Sequence, residues 1–156
     1  MTYILLREHW IARPIDEVFA FFADAHNLEE ITPPWLGFKI LSMSTNSISE
    51  GTVIRYLLQL HGIRIHWRTE ICEWNPPHCF VDEQTKGPYK QWRHTHRFES
   101  HGSRTKMIDE VQYSLPFGVL GRIVHAVKVR REVNRIFDYR RLQFDALFGQ
   151  PGENAA

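Results

Sequence analysis

The sequence predicts an α+β fold in which a seven-stranded antiparallel sheet carries two short helices after its first strand and one long helix at its C-terminal end. Three observations lead there. Side-chain character alternates with a period of two in one stretch near the N-terminus and in six more between Gly37 and Leu115. The period turns helical at residues 14–24 and again from about 119 to 148. The turns between the six later stretches are short, which favours antiparallel neighbours.

Taken in order, YILLREHWIA (3–12) reads as the first strand, and Arg13-Pro14 ends it because proline lacks the amide a ladder requires. PIDEVFAFFAD then reads as a short amphipathic helix. Pro14 suits its first turn, Asp16 and Glu17 suit its positive dipole end, and Val18, Phe21 and Phe22 recur on one face. A second short helix is expected over Ala25–Ile31, closed by Thr32-Pro33-Pro34. Strands follow as FKILSMS, TVIRYLLQL, IRIHWRTEICEW, CFVDEQTK, QWRHTHRFES and TKMIDEVQYSL, punctuated by Ser49-Glu50-Gly51, His61-Gly62, Asn75-Pro76-Pro77, Gly87-Pro88 and His101-Gly102-Ser103.

The last element is expected to run near 30 residues, about 45 Å at 1.5 Å per residue, enough to cross a whole sheet. Leu120, Ile123, Val124, Val127, Val133, Ile136, Phe137, Phe144, Leu147 and Phe148 form its apolar stripe, and Arg122, Lys128, Arg130, Arg131, Arg135 and Arg141 its outward sector. One domain over residues 1–148 and a loose tail over 149–156 follow.

The chain has 156 residues, 43% of them hydrophobic, and a formal charge of +1. That near-balance gives no global field to attract nucleic acid or an acidic polymer. Residues 119–148 are locally basic, with seven Lys or Arg against three Asp or Glu. A solvated helix face explains that excess better than a membrane contact does. The apolar run Tyr3–Leu6 is too short for a signal-peptide core or a membrane span, so a cytoplasmic location is the expectation. Cys72 and Cys79 flank a turn and are read as reduced structural thiols, since they lack the further ligands of a zinc site. Neither a G-x-S-x-G, a P-loop nor a G-x-G-x-x-G pattern is present.

The stretch QWRHTHRF (91–98) carries the functional signal. Gln91, Arg93, Thr95 and Arg97 share one face, whereas Trp92, His94, His96 and Phe98 share the other, so both imidazoles follow the aromatics inward. In the next strand Met107, Asp109, Val111 and Tyr113 share a mostly apolar face, which takes Asp109 inward. In the preceding strand Phe80, Asp82 and Gln84 compete with Val81, Glu83 and Thr85 for the inner side.

This order of elements resembles the helix-grip fold of the START-like superfamily, which includes the polyketide cyclase/dehydrase and lipid-transport families. The runs FVDEQTKGPYKQWRHTHRFE and DEVQYSLPFGVLG are similar to a group of small bacterial proteins of that kind. The resemblance implies a curved sheet gripping the long helix, with a cavity between them lined by inward strand positions, and it selects Phe80, Asp82 and Gln84 as the inner set.

Trp67, Asp82, Gln84, Trp92, His94, His96, Asp109 and Tyr113 are then the expected ligand-binding residues. A dry core does not readily hold so many polar groups, because each one left unpaired costs on the order of 1–3 kcal/mol. Apolar walls with a few convergent polar groups describe a pocket for a small hydrophobic or amphipathic molecule. The alternative is a cofactor-independent enzyme of the cyclase or dehydratase type, with His94, His96 and Asp109 as general acid/base machinery. Metal ligation by His-x-His is set aside, because two histidines and an undecided carboxylate make a weak donor signature. No cofactor enters the reading.

Overall fold

The computed structural model describes residues 1–60 and 62–149, without the side chains of residues 121, 122 and 124–126. Alternation becomes strand wherever the sequence carries it. Strand β1 (Tyr3–Ile11) leads into α1 (Ile15–Phe22) and α2 (Asn27–Ile31), and a 3₁₀ turn at Pro34–Leu36 follows. Then come β2 (Lys39–Met43), β3 (Val53–Leu60), β4 (Ile63–Asn75), β5 (Cys79–Lys86), β6 (Gln91–His101) and β7 (Arg104–Ser114). Each strand ends within one residue of its expected limits. Among the described residues the sheet has seven strands in the order β1-β7-β6-β5-β4-β3-β2, all paired antiparallel.

Register shifts at Ile40/Ser42, Arg68/Thr69 and Ile71/Glu73 mark bulges. An extra residue on one strand bends it and increases its twist, so these positions help to curve the sheet around its inner face. Helix α1 covers one end of that face. Val18, Phe19 and Phe22 are its buried residues, so Phe19 takes the deep position expected for Phe21, which packs instead against Phe22 and Phe148. Helix α2 starts at Asn27, two residues later than expected.

The C-terminal helix corrects the expectation of one uniform stripe. It consists of α3 (Gly118–Val124), a π-helical turn (His125–Val129) and α4 (Arg130–Phe148). Val133, Phe137 and Phe144 are buried, whereas Leu120, Ile123, Val127 and Leu147 are exposed. A π turn carries more residues per turn than an α turn, so the apolar positions of α3 do not continue in phase into α4. Helix α4 packs on β1 and α2, while the main neighbour of α3 is the π turn itself. The expected stripe residue Val124 and outward residue Arg122 have side chains outside the description, as does His61 of the expected turn. Beyond Gly149 the expected tail also lies outside the described residues.

Among the described residues, three apolar clusters hold the layers together. One joins α1 to the sheet and to Phe144 of α4 through Phe19, Phe22, Phe80, Phe98 and Met107. A second joins Leu5, Val111 and Tyr113 to Val133 and Phe137 of α4. The third sets Ala25 against Ile48, Ile54 and Ile71. Burying each such side chain contributes about 1.5–3 kcal/mol before conformational entropy is counted. Arg7 crosses from β1 to hydrogen-bond Asn134 and lies 3.7 Å from Asp138, tying the same strand to α4 by a polar route. Cys72 and Cys79 are free thiols, both half-buried, and burial raises the pKa of each.

Candidate functional site

Register decides which inward side chains meet. Across β5, β6 and β7, Asp82 stands opposite His94 and Phe80 opposite His96, while His94 stands opposite Val111 and His96 opposite Asp109. Each imidazole therefore has one carboxylate directly across from it and the other on the diagonal, both within side-chain reach. His94 Nε2 donates to Asp109 Oδ1 at 2.9 Å and His96 Nε2 donates to Asp82 Oδ2 at 3.0 Å. The square is completed by His96 Nδ1, 3.0 Å from Asp109 Oδ1 but off the line of a hydrogen bond, and by His94 Nδ1, 3.8 Å from Asp82 Oδ2.

The two rings lie 3.7 Å apart. Phe80 stacks on His96 at 4.0 Å, and Phe137 of α4 meets His94 edge-on at 5.5 Å. His94, His96 and Asp109 are buried, at 5%, 3% and 1% exposure, and the Asp82 side chain retains 18%. Asp109 is thus the rear wall of the cluster and Asp82 its open edge.

Burial opposes ionisation of all four groups, and their mutual contacts decide the outcome. For Asp109, burial is outweighed by the hydrogen bond from His94, the close approach of His96 and the charges of both imidazoles, which hold its carboxyl well below the usual carboxylate range. Asp82 is lowered in the same way, against burial, by its bond from His96 and the charges of both imidazoles. His96, with a carboxylate oxygen 3.0 Å from each ring nitrogen, is raised despite burial. His94 is lowered by burial and by the neighbouring His96 charge, which the Asp109 bond only partly offsets. The two imidazoles are thus pushed in opposite directions, His96 toward its protonated form and His94 toward its neutral one.

The cluster forms part of the wall of a cavity of about 200 Å³ between the sheet and α4. Most of that wall is apolar or aromatic. Tyr56 stacks on Trp67 at 5.8 Å, Trp92 stands perpendicular to Trp67 at 5.5 Å, and Phe137 and Ile136 close it from the helix.

Of the residues expected at a ligand site, Trp67, Asp82, Trp92, His94 and His96 line this cavity. Gln84, Asp109 and Tyr113 are placed elsewhere. Gln84 brackets the β5–β6 turn, its Nε2 donating to Tyr89 O at 2.7 Å while its Oε1 accepts from Tyr89 N at 3.3 Å. Asp109 stands behind the imidazoles, and Tyr113 packs in the cluster with Leu5 and Val133. Tyr56, Tyr89 and Arg140 line the cavity without having been expected there. Arg140 was legible in part, because it falls three residues after Phe137 and four before Phe144, inside the apolar stripe.

Asp82, His94 and His96 each place a donor atom within 4.8 Å of the others. The Nε2 atoms of both imidazoles already donate to carboxylates, so a cation there would bind through their Nδ1 atoms or displace those protons.

Comparison with known proteins places this arrangement. No curated protein matches the sequence. Among solved structures, an aromatase/cyclase from a Streptomyces species superposes with a TM-score of 0.67 at 16% identity, covering 93% of this chain and 95% of its own. Norcoclaurine synthase from Thalictrum flavum, in complex with dopamine and hydroxybenzaldehyde, gives 0.66 at 12% identity over 91% of this chain and 86% of its own. A major latex-like protein from Panax ginseng gives 0.66 at 12% identity over 94% and 97%. At such identities these likenesses show the shared helix-grip fold. The family model for polyketide cyclase/dehydrase and lipid transport proteins matches residues 11–137, from the end of β1 through the first turns of α4, and the chain belongs to that family.

Proposed function

We propose that this protein binds a small, largely apolar molecule in the cavity between the sheet and α4, with the polar end of the molecule turned toward the Asp82, His94 and His96 corner. The observation that carries this reading is the composition of the wall, which is aromatic and aliphatic over most of its area and gathers Asp82, His94 and His96 in one corner. Solid packing would serve the fold better, since interiors normally fill to crystal-like density. The complexed norcoclaurine synthase and the aromatase/cyclase have the same fold, and their bound or processed molecules support, by analogy of architecture, the use of this space for a ligand. Neither a cofactor nor a metal belongs to the reading.

The test is native purification followed by denaturation and mass spectrometry of what is released. A stoichiometric apolar metabolite is the expected result. A protein that comes out empty, and stays empty after exposure to apolar extracts of its host, overturns the proposal.

One observation favours a second reading, acid/base chemistry on the bound molecule. The same site holds two imidazoles whose pKa values are pushed in opposite directions, His94 down and His96 up, the arrangement a general base and a general acid require. In that reading His94 removes a proton next to a carbonyl, His96 returns one to the developing oxygen or to a leaving hydroxyl, and Asp109 positions both rings. Incubating the released molecule with the protein in D₂O distinguishes the two. Deuterium entering the molecule with the parent, but not with His94→Ala, supports chemistry, and no exchange with the parent leaves binding alone.

A further inference from the structure

We infer that the molecule held in the cavity is a carboxylate, and that Arg140 of α4 receives it; this rests on the ligand-binding reading above. Arg140 is the one Lys or Arg among the described residues lining the cavity. It lies over Phe137 at 5.2 Å and over Phe144 at 6.0 Å, so its cationic head sits within the apolar layer. Its Nε and Nη2 are shielded from solvent and have no hydrogen-bond partner. Among the described residues no carboxylate comes within 4.0 Å of it; Asp82, the ionised neighbour whose field it feels, is engaged by His96 instead.

The identity of the two unpartnered atoms narrows the chemistry. Nε and Nη2 form the side edge of the guanidinium, where two N–H bonds point the same way at the spacing of the two oxygens of a planar carboxylate. Two further unpartnered atoms belong to cavity-lining residues: Trp67 Nε1, which is also a donor, and His96 Nδ1, which lies 3.0 Å from Asp109 Oδ1 behind it. Arg140 and Trp67 thus offer donors that lack acceptors, and an anionic ligand supplies them. Arg140 reaches inward on a flexible stem, so turning this edge to a ligand takes only side-chain rotation, the commonest adjustment on binding. The carboxylates already present do not repel such a ligand strongly. Asp109 lies behind both imidazoles, and Asp82 is hydrogen-bonded to His96.

Isothermal titration of the full-length protein with 2-naphthoate, 2-naphthalenemethanol and 2-naphthalenesulfonate tests the inference, with decanoate and 1-decanol as a second acid and alcohol pair. The parent is expected to bind the acid of at least one pair about tenfold or more tighter than its alcohol, the size of effect a charged hydrogen bond gives. In Arg140→Met the acid-to-alcohol preference should fall to about one, whereas Arg135→Met, which removes an exposed arginine of the same helix, keeps it. Arg140→Gln serves as a second variant, and thermal unfolding establishes that each variant is folded. Because Met removes buried donors that have no partner, Arg140→Met should melt no lower than the parent.

If acid and alcohol bind alike, the carboxylate assignment falls and the cavity reading stands. Retention of the preference in folded Arg140→Met and Arg140→Gln overturns the role of Arg140. A sulfonate that binds as tightly as the carboxylate of the same ring overturns the planar-fork argument. No binding of either pair removes the cavity reading and this inference together.

Discussion

Asp109 carries more of the local electrostatics than any other side chain in the cluster. It accepts from His94 and lies 3.0 Å from His96 while almost fully enclosed, so removing its charge takes away the rear counter-ion that favours the protonated form of His96. Asp109→Asn is expected to cost about 3 kcal/mol in denaturant unfolding at neutral pH, the usual scale for breaking a buried pair from one side. Asp82→Asn should cost less, because Asp82 faces the cavity and water can take up part of the loss. The pH dependence follows from the directions of the shifts. Asp109 is lowered from 3.8, so its contribution is complete above that value and is lost as pH falls through its folded pKa. His96 is raised from 6.5, so its contribution is complete below 6.5 and is lost as pH rises through its folded pKa. His94, lowered from 6.5, acts against folding as pH drops below that value, because the unfolded chain takes up a proton that the folded chain does not. Stability measured from pH 3 to 8 should therefore drop steeply on the acid side below about pH 4, and Asp109→Asn should flatten that limb. An unchanged acid limb in the variant would mean that the cluster does not set it.

At the scale of elements, the β5–β6 turn shows how a side chain outside the cavity still shapes it. A Cβ on Gly87 would come within 2.3 Å of Gln84 Oε1 and 2.6 Å of its Cδ. Gly87 therefore leaves room for Gln84 to bracket the backbone of Tyr89, a cavity residue. Gly87→Ala should displace Gln84, cost about 1 kcal/mol for the lost bracket, and speed amide exchange at Tyr89. Helix α4 offers the contrasting case. Phe137 packs on His94 and lies in the cluster with Leu5, Val111 and Val133, so Phe137→Ala should cost about 3–5 kcal/mol by cavity formation, read by denaturant midpoint. Leu120 and Ile123, one helical segment earlier, are exposed, and Leu120→Ser or Ile123→Ser should each change stability by less than about 0.5 kcal/mol. A large loss at either position would show that α3 packs against something.

At the scale of the molecule, the three apolar clusters among the described residues surround a space they do not fill. The sheet supplies a curved floor, α1 one end and α4 the roof, and the ionisable square sits where the first two clusters meet, with Phe22 and Phe80 on one side and Phe137 on the other. Among the described residues no helix is long and apolar enough to cross a membrane. A ligand bound in this space should stabilise the fold by mass action, by about 2.7 kcal/mol at a free concentration 100 times its Kd. Saturation with whichever naphthyl probe binds should therefore raise the melting temperature of the parent, and the increase should shrink when a bulky residue at Ile136 on the roof fills the space.

Much of this was legible in the residues. Period-two alternation identified every strand to within one residue and placed His94, His96 and Asp109 on inward faces, because a pleat leaves a side chain only two directions. The choice of Phe80 and Asp82 as the inner set of β5 needed the resemblance to decide it, since Val81 is buried as well. What alternation does not carry is the register between strands, the phase of a helix after a π turn, or the depth at which a side chain stops. Those depend on pairings between residues far apart in the chain. Only the tertiary structure therefore decided that Gln84 braces a turn, that Tyr113 joins a packed cluster, that Leu120 and Ile123 face outward, and that Arg140 brings an unpartnered guanidinium edge to the cavity wall.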